Sequence, residues 1–218
     1  MARRFDLLVF DWDGTLMDSA VGIAASLQAA CRDLGVAEPS EADARYIIGL
    51  GLVDALRRAV PHLPNDRYPA LVERYGHHFR ASEHGMRLFD GAAGMLQRLA
   101  ESGFLLAIAT GKSRRGLDRA LDSTGLRSRF HLSRCADETH SKPHPAMLLD
   151  IMVQVDVPAA RTLMIGDTTH DLEMARNAGV AGLAMCHGAH PREALEGLSP
   201  LTCCEDIASL EAWIGANA

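Results

Sequence analysis

The chain has 218 residues, 48% apolar and 23% charged, a balance that excludes a disordered or fibrous protein and allows a sizeable buried core. Its formal net charge of −6, with no block of Lys or Arg, argues against a nucleic-acid-binding surface. No apolar run reaches membrane-spanning length, and Met1-Ala2-Arg3-Arg4 leads straight into a short strand, so neither a membrane span nor a signal peptide is expected. The five cysteines, Cys31, Cys135, Cys186, Cys203 and Cys204, lack C-x-x-C spacing and are odd in number. That pattern argues against zinc or a disulfide framework and for free thiols in a reducing, cytoplasmic setting.

In chain order, Phe5-Asp6-Leu7-Leu8-Val9-Phe10 reads as a short buried parallel strand closed by Asp11-Trp12-Asp13-Gly14. Asp18 or Ser19 can cap the next helix, whose apolar positions, among them Ile23, Leu27 and Cys31, share a face up to Gly35. From there to about Gly85 the pattern stays helical: 41–48, a Gly49-Leu50-Gly51 break, 52–60, a Pro61-His62-Leu63-Pro64 turn, and 67–82. Strands resume at 104–109, 130–135, 162–165 and 182–185, each followed by a helix. Residues 187–218 read as a closing strand and helix, with Ile207, Leu210 and Trp213 packing on the sheet. This alternation predicts an α/β fold with a Rossmann-like parallel sheet and helices on both faces. The roughly ninety residues between the first two strands are too many for one crossover. They are expected to hold an all-helical cap at 19–86, inserted into a core made of 1–18 and 87–218.

Four places carry polar residues just past an apolar strand, where open α/β sheets put their chemistry. Asp11 and Asp13 are two carboxylates one residue apart, an arrangement that costs free energy unless a cation or hydrogen-bond donors meet it. Thr110-Gly111-Lys112-Ser113 offers a hydroxyl and free N–H groups ahead of a helix, a geometry that binds phosphate, although Thr110 or Ser113 also reads as a plain helix cap. Lys142 precedes Pro143 and Pro145, which stiffen the chain around it, although it also reads as an ordinary solvated surface lysine. Gly166-Asp167-Thr168-Thr169-His170-Asp171 closes another apolar strand, and Asp171 reads equally as a helix cap or as support for a metal site. Together they gather carboxylates, a hydroxyl and an ammonium on one sheet edge. Such oxygen ligands suit Mg²⁺ shared with a substrate phosphate.

The order Asp11-x-Asp13-Gly14-Thr15, Thr110, Lys142-Pro143 and Gly166-Asp167-x-x-x-Asp171 resembles the haloacid dehalogenase-like hydrolase superfamily, in its phosphoglycolate phosphatase-like branch with a helical cap. The resemblance implies a Mg²⁺-dependent phosphatase acting on a small phosphorylated metabolite. It makes Asp11 the nucleophile and Asp13 the acid and base. Thr110, Gly111 and Lys142 would hold the phosphoryl group, with Lys142 also orienting Asp11. It further implies that magnesium is held by Asp11, the Asp13 main-chain carbonyl and Asp167, with Asp171 supporting the ion's water shell. Two positions depart from the usual pattern: Gly111, where the second motif often has asparagine, and Phe89-Asp90-Gly91, where relatives often have proline.

The cap is expected to select the substrate. Gly49-Leu50-Gly51 resembles the family's cap loop, and Arg45, Arg57 or Arg58 could hold a substrate carboxylate, although helical arginines are usually solvated. His77-His78 and His187-Gly188-Ala189-His190 lack metal-ligand spacing and read as solvated or core-edge side chains. A sugar-phosphate mutase shares every core residue named here, and a non-catalytic phosphate-accepting regulatory protein is the alternative of another class. A dehalogenase is disfavoured because Asp13 is present. The chain is expected to act as a monomer or homodimer.

Overall fold

The structure is a computed structural model that describes residues 3–83 and 85–218. Strand β1 (Leu7–Phe10) is followed by a two-residue strand β2 (Met17–Asp18) and four helices, α1 (Ala20–Asp33), α2 (Glu41–Tyr46), α3 (Leu52–Ala59) and α4 (Tyr68–Glu83). The chain returns through β3 (Arg87–Leu88) to α5 (Ala92–Glu101), β4 (Leu105–Thr110), α6 (Arg114–Thr124), β5 (Leu132–Cys135) and α7 (Ala146–Val155). It ends with β6 (Thr162–Gly166), α8 (Thr169–Asn177), β7 (Ala181–Met185), α9 (Arg192–Glu196), β8 (Cys203–Cys204) and α10 (Ile207–Asn217).

Six strands form one parallel sheet in the order β5-β4-β1-β6-β7-β8. β1 lies between β4 and β6, and its four apolar side chains are fully buried, as a strand covered on both faces requires. Alternation along it splits the core into two layers. Leu8 and Phe10 join the cluster that includes Leu96 of α5, Leu117 of α6 and Leu210 of α10. Leu7 and Val9 face Leu148 and Ile151 of α7 and Met174 of α8. Strand polarity brings the carboxyl ends of β1, β4 and β6 side by side, which assembles residues far apart in sequence.

The four helices after β2 build their own core from Leu27, Cys31, Ala44, Leu56, Tyr68 and Leu71. β2 and β3 pair antiparallel, Met17 with Leu88 and Asp18 with Arg87, where the chain leaves the α/β layer and comes back. The five cysteines are free thiols. Among the described residues no helix is long and apolar enough to cross a membrane.

Candidate active site

β1 delivers Asp11 and Asp13 to the sheet edge. Gly14 follows at φ +82°, a left-handed turn where a Cβ would collide with the Asp167 carboxylate, so only glycine lets the two motifs approach. Past β6, Asp167 is buried, accepting from Thr15 Oγ1 at 2.6 Å and from the Ala189 N–H at 2.7 Å. Helix α8 opens with a capping box. Asp171 Oδ2 accepts from the Thr168 N–H at 3.1 Å and from its hydroxyl at 2.6 Å, while Thr168 caps in return. The helix begins at Thr169, because Thr168 and Asp171 cap it together.

Lys142 reaches this cluster from the loop before α7 with its ammonium fully buried, 2.8 Å from Asp11 Oδ1 and 2.7 Å from Asp171 Oδ1. Burial works against its charge, but Asp11 and Asp171 outweigh burial and hold it above the ordinary lysine value. Desolvation drives the Asp11 carboxyl well upward, opposed by Lys142 and reinforced by Asp171 and Asp167. Burial, then Asp171, pushes Asp167 up to about 7. Among the described residues, Asp11 Oδ2 meets no hydrogen-bond donor. Ligand oxygens of Asp11, Asp167 and Asp171 lie within 4.8 Å of one another. The Asp13 carboxylate stands apart from that group: Oδ2 lies 3.0 Å from Lys112 Nζ and Oδ1 accepts from Ser19 Oγ at 2.7 Å. Ser19 thus occupies the N-cap position of α1 but spends its hydroxyl on Asp13.

Thr110 ends β4 fully buried, its Oγ1 accepting from the Lys112 N–H at 3.2 Å, while Ser113 caps α6 by accepting from Gly116. Gly111 has a steric reason: a Cβ there would strike the Gly49 and Leu50 carbonyls, so the cap loop sits directly on this motif. The same loop donates the Gly51 N–H to Ser141 Oγ at 2.7 Å. Asp11, Asp13, Thr110, Gly111 and Lys112 line one end of a cleft of about 630 Å³ between the helical cap and the sheet edge.

The three arginines singled out in the sequence do not line that cleft. Arg45 donates to the Gly188 and Ala189 carbonyls at 2.8 and 3.3 Å, Arg57 lies over the Tyr68 ring, and Arg58 over the Tyr46 ring. Arg80, Arg115 and Arg119 line it instead. They escaped notice because solvated and site-facing arginines look alike until the helices are placed. Two histidines are more deeply buried than a core-edge role implies: His170 and His190 both point Nε2 at the Tyr46 carbonyl, at 2.8 and 3.0 Å. His190 Nδ1 accepts from the Thr169 N–H at 3.1 Å, so its proton sits on Nε2. Burial, then His170, lowers His190 to about 4, and burial lowers His170 as well. Arg45 and Tyr46 together fasten the cap to the loop that also serves Asp167 through Ala189.

A family profile described as haloacid dehalogenase-like hydrolase matches residues 8–185. The chain is 37% identical to "Probable phosphatase IndB" of Dickeya dadantii (strain 3937) over 200 residues, covering 89% of this chain and 86% of that protein. It is 30% identical to the phosphoglycolate phosphatase of Agrobacterium fabrum (strain C58 / ATCC 33970) over 210 residues, covering 94% and 90% of the two chains. The crystal structure of a "predicted phosphoglycolate phosphatase" from Haemophilus somnus 129pt superposes with a TM-score of 0.86 at 25% identity, covering 96% of this chain and 98% of that one. The matched span holds both acidic motifs, Thr110 and Lys142, and the fold agrees across nearly the whole length: the chain belongs to the haloacid dehalogenase-like hydrolase family.

Proposed function

We propose that this hydrolase is a Mg²⁺-dependent phosphomonoesterase, active in the cytoplasm on a small phosphorylated metabolite through an aspartyl-phosphate on Asp11. The observation that carries the reading is Asp11 itself. Its carboxylate lines the cleft with Lys142 2.8 Å from one oxygen and no donor on the other. Relatives named as phosphatases support the same class.

The residues present fit a hard divalent cation. Three buried carboxylates gather beside one lysine that pairs with two of them, one carboxylate oxygen is orphaned among the described residues, and the candidate ligand atoms are all oxygen. Asp11, the Asp13 carbonyl and Asp167 would hold Mg²⁺, with Asp171 supporting, and the bound ion supplies positive charge against phosphoryl oxygens. Asp11 attacks phosphorus, forming an O–P bond as the ester's P–O bond breaks. Asp13 gives its proton to the departing alkoxide, then takes one from the water that attacks the aspartyl-phosphate and frees Asp11. The Thr110 hydroxyl and the Gly111 N–H donate to phosphoryl oxygens. Lys142 offsets the repulsion between Asp11 and the phosphate, about 4 kcal/mol per charge pair at ~4 Å and an effective dielectric near 20.

The test is phosphate release from a panel of phosphomonoesters, including 2-phosphoglycolate and sugar phosphates, with and without Mg²⁺. Metal-dependent release that disappears in Asp11→Asn supports the reading. Undiminished release by Asp11→Asn refutes it, and isomerised sugar phosphate without free phosphate points to a mutase.

A further inference from the structure

The cleft is walled by two helix faces, one from the cap and one from the α/β layer. Tyr75, Gly76, Phe79 and Arg80 form a stripe on α4, and Arg115, Gly116 and Arg119 form one on α6. The charges there exceed what the chemistry uses. Lys112 is matched by Asp13, Lys142 by Asp11 and Asp171, and Arg119 by Glu83 at 3.3 Å. That last pair links α6 to the end of α4, so the cleft is narrow enough for a core arginine to grip a carboxylate from the cap side. The guanidinium groups of Arg80 and Arg115 remain, exposed and with no hydrogen bond or ion pair among the described residues.

The backbone beside Arg80 is bare. Gly76 sits inside α4, where glycine costs about 1 kcal/mol against alanine. A Cβ there would lie 3.0 Å from Arg80 Nη1, so the bare backbone lets the arginine fold over it. The cap side of the wall also carries Ile23, Ile47 and Leu56, and the Phe79 ring lies beside the Lys112 ammonium, 4.7 Å from its centroid. Burial holds the Tyr75 phenol well above its ordinary value, with Asp13 and Glu83 adding to the rise, so it stays a protonated donor. A cleft of about 630 Å³ suits a ligand much larger than a two-carbon acid phosphate.

We propose that Arg80 and Arg115 clamp a second anionic group on the substrate, a carboxylate or another phosphate, so the preferred ester is charged at both ends of an apolar body resting on Tyr75 and Phe79. The inference rests on the phosphatase reading above and names its substrate class. An anion held by one arginine from each side draws the cap onto the sheet edge, so binding energy far from phosphorus serves closure over the reacting groups. The surplus cations also attract a polyanionic ester to a chain whose overall charge is −6.

The test compares kcat/KM for 4-carboxyphenyl phosphate, hydroquinone bisphosphate, uncharged 4-methylphenyl phosphate and 2-phosphoglycolate, in wild type and in R80Q, R115Q and the double variant, with melting curves to verify folding. The clamp predicts a preference of about tenfold or more for one or both doubly charged aromatic esters over the methyl compound, the size expected of charge-assisted hydrogen bonds. It also predicts that this ratio collapses toward unity in the folded double variant. Whichever anionic ester is favoured identifies the second group. A wild-type ratio near unity, a ratio kept by the double variant, or 2-phosphoglycolate matching the larger anionic esters overturns the clamp. Phosphate release without discrimination overturns the clamp alone, whereas release from none of the four esters or the sugar phosphates overturns the phosphatase reading with it.

Discussion

Replacing Asp11 with Asn should abolish phosphate release and, in metal-free buffer, make the protein more stable. Ligand oxygens of Asp167 and Asp171 lie within 4.8 Å of Asp11, so each repulsion is at least roughly 3.5 kcal/mol at an effective dielectric near 20. Together they slightly exceed the attraction of about 6 kcal/mol from Lys142 at 2.8 Å on the same scale. Desolvation of a carboxylate that is 1% exposed adds to the deficit. Asn keeps the shape, faces Lys142 with its carbonyl and loses no hydrogen bond at the orphaned Oδ2. A gain of about 2–4 kcal/mol at pH 8 follows, or about 5–10 °C in Tm at this chain length. Burial raises the Asp11 carboxyl, so the deficit is present above its folded-state pKa and shrinks as falling pH protonates it. Bound Mg²⁺ should also narrow the gap, by about 2.7 kcal/mol at a hundredfold excess over Kd if only wild type binds it. Differential scanning calorimetry in EDTA and in MgCl₂ measures each comparison. Asp11→Asn melting at or below wild type in EDTA, or Mg²⁺ stabilising both equally, would refute the reasoning.

Lys142→Met leaves the buried carboxylates of Asp11 and Asp171 without their ammonium and should cost about 3–5 kcal/mol in urea unfolding at pH 8 in EDTA; an unchanged midpoint would contradict the electrostatic reading. His190 is 3% exposed and lowered to about 4, so it contributes full stability above the unfolded value of 6.5 and loses it as pH falls toward 4. Subtracting the pH–stability curve of His190→Gln from that of wild type should expose a fall of about 3 kcal/mol across that window; parallel curves would remove His190 as its source. Arg45→Ala deletes two donors to the loop that holds Asp167, and amide-resolved hydrogen exchange should show the Ala189 N–H exchanging about tenfold faster. Ser19→Ala removes the hydroxyl at 2.7 Å from Asp13 and should lower kcat with KM little changed; a KM effect alone would place Ser19 in substrate binding.

The parallel sheet was legible because β1, β4 and β6 are short apolar runs closed by polar residues, and they end where the carboxylates and Thr110 sit. Lys142 was legible only through its order among the motifs, since nothing local to Ser141-Lys142-Pro143 says that its ammonium is buried. The two-residue strands β2 and β3 carry no periodicity, which needs more residues than they have. The Tyr46 carbonyl shared by His170 and His190 was hidden for another reason: its partners are 124 and 144 residues away, and the acceptor is itself a backbone atom without a side-chain signature. The cleft arginines show the same limit. Arg45, Arg57 and Arg58 were as attractive in sequence as Arg80 and Arg115, and only helix placement separates them.

The β2–β3 pair has a mechanical meaning. Both passes of chain between the α/β layer and the cap lie side by side, Met17 against Leu88 and Asp18 against Arg87, with the Phe89 N–H donating to the Leu16 carbonyl at 3.0 Å just beyond. Two separate strings would let the four helices wobble in any direction. Laced into a ribbon, they resist sideways slip, so the helical layer keeps one register over the sheet edge, held a second time where Arg45 and the Tyr46 carbonyl meet the loop at 188–190.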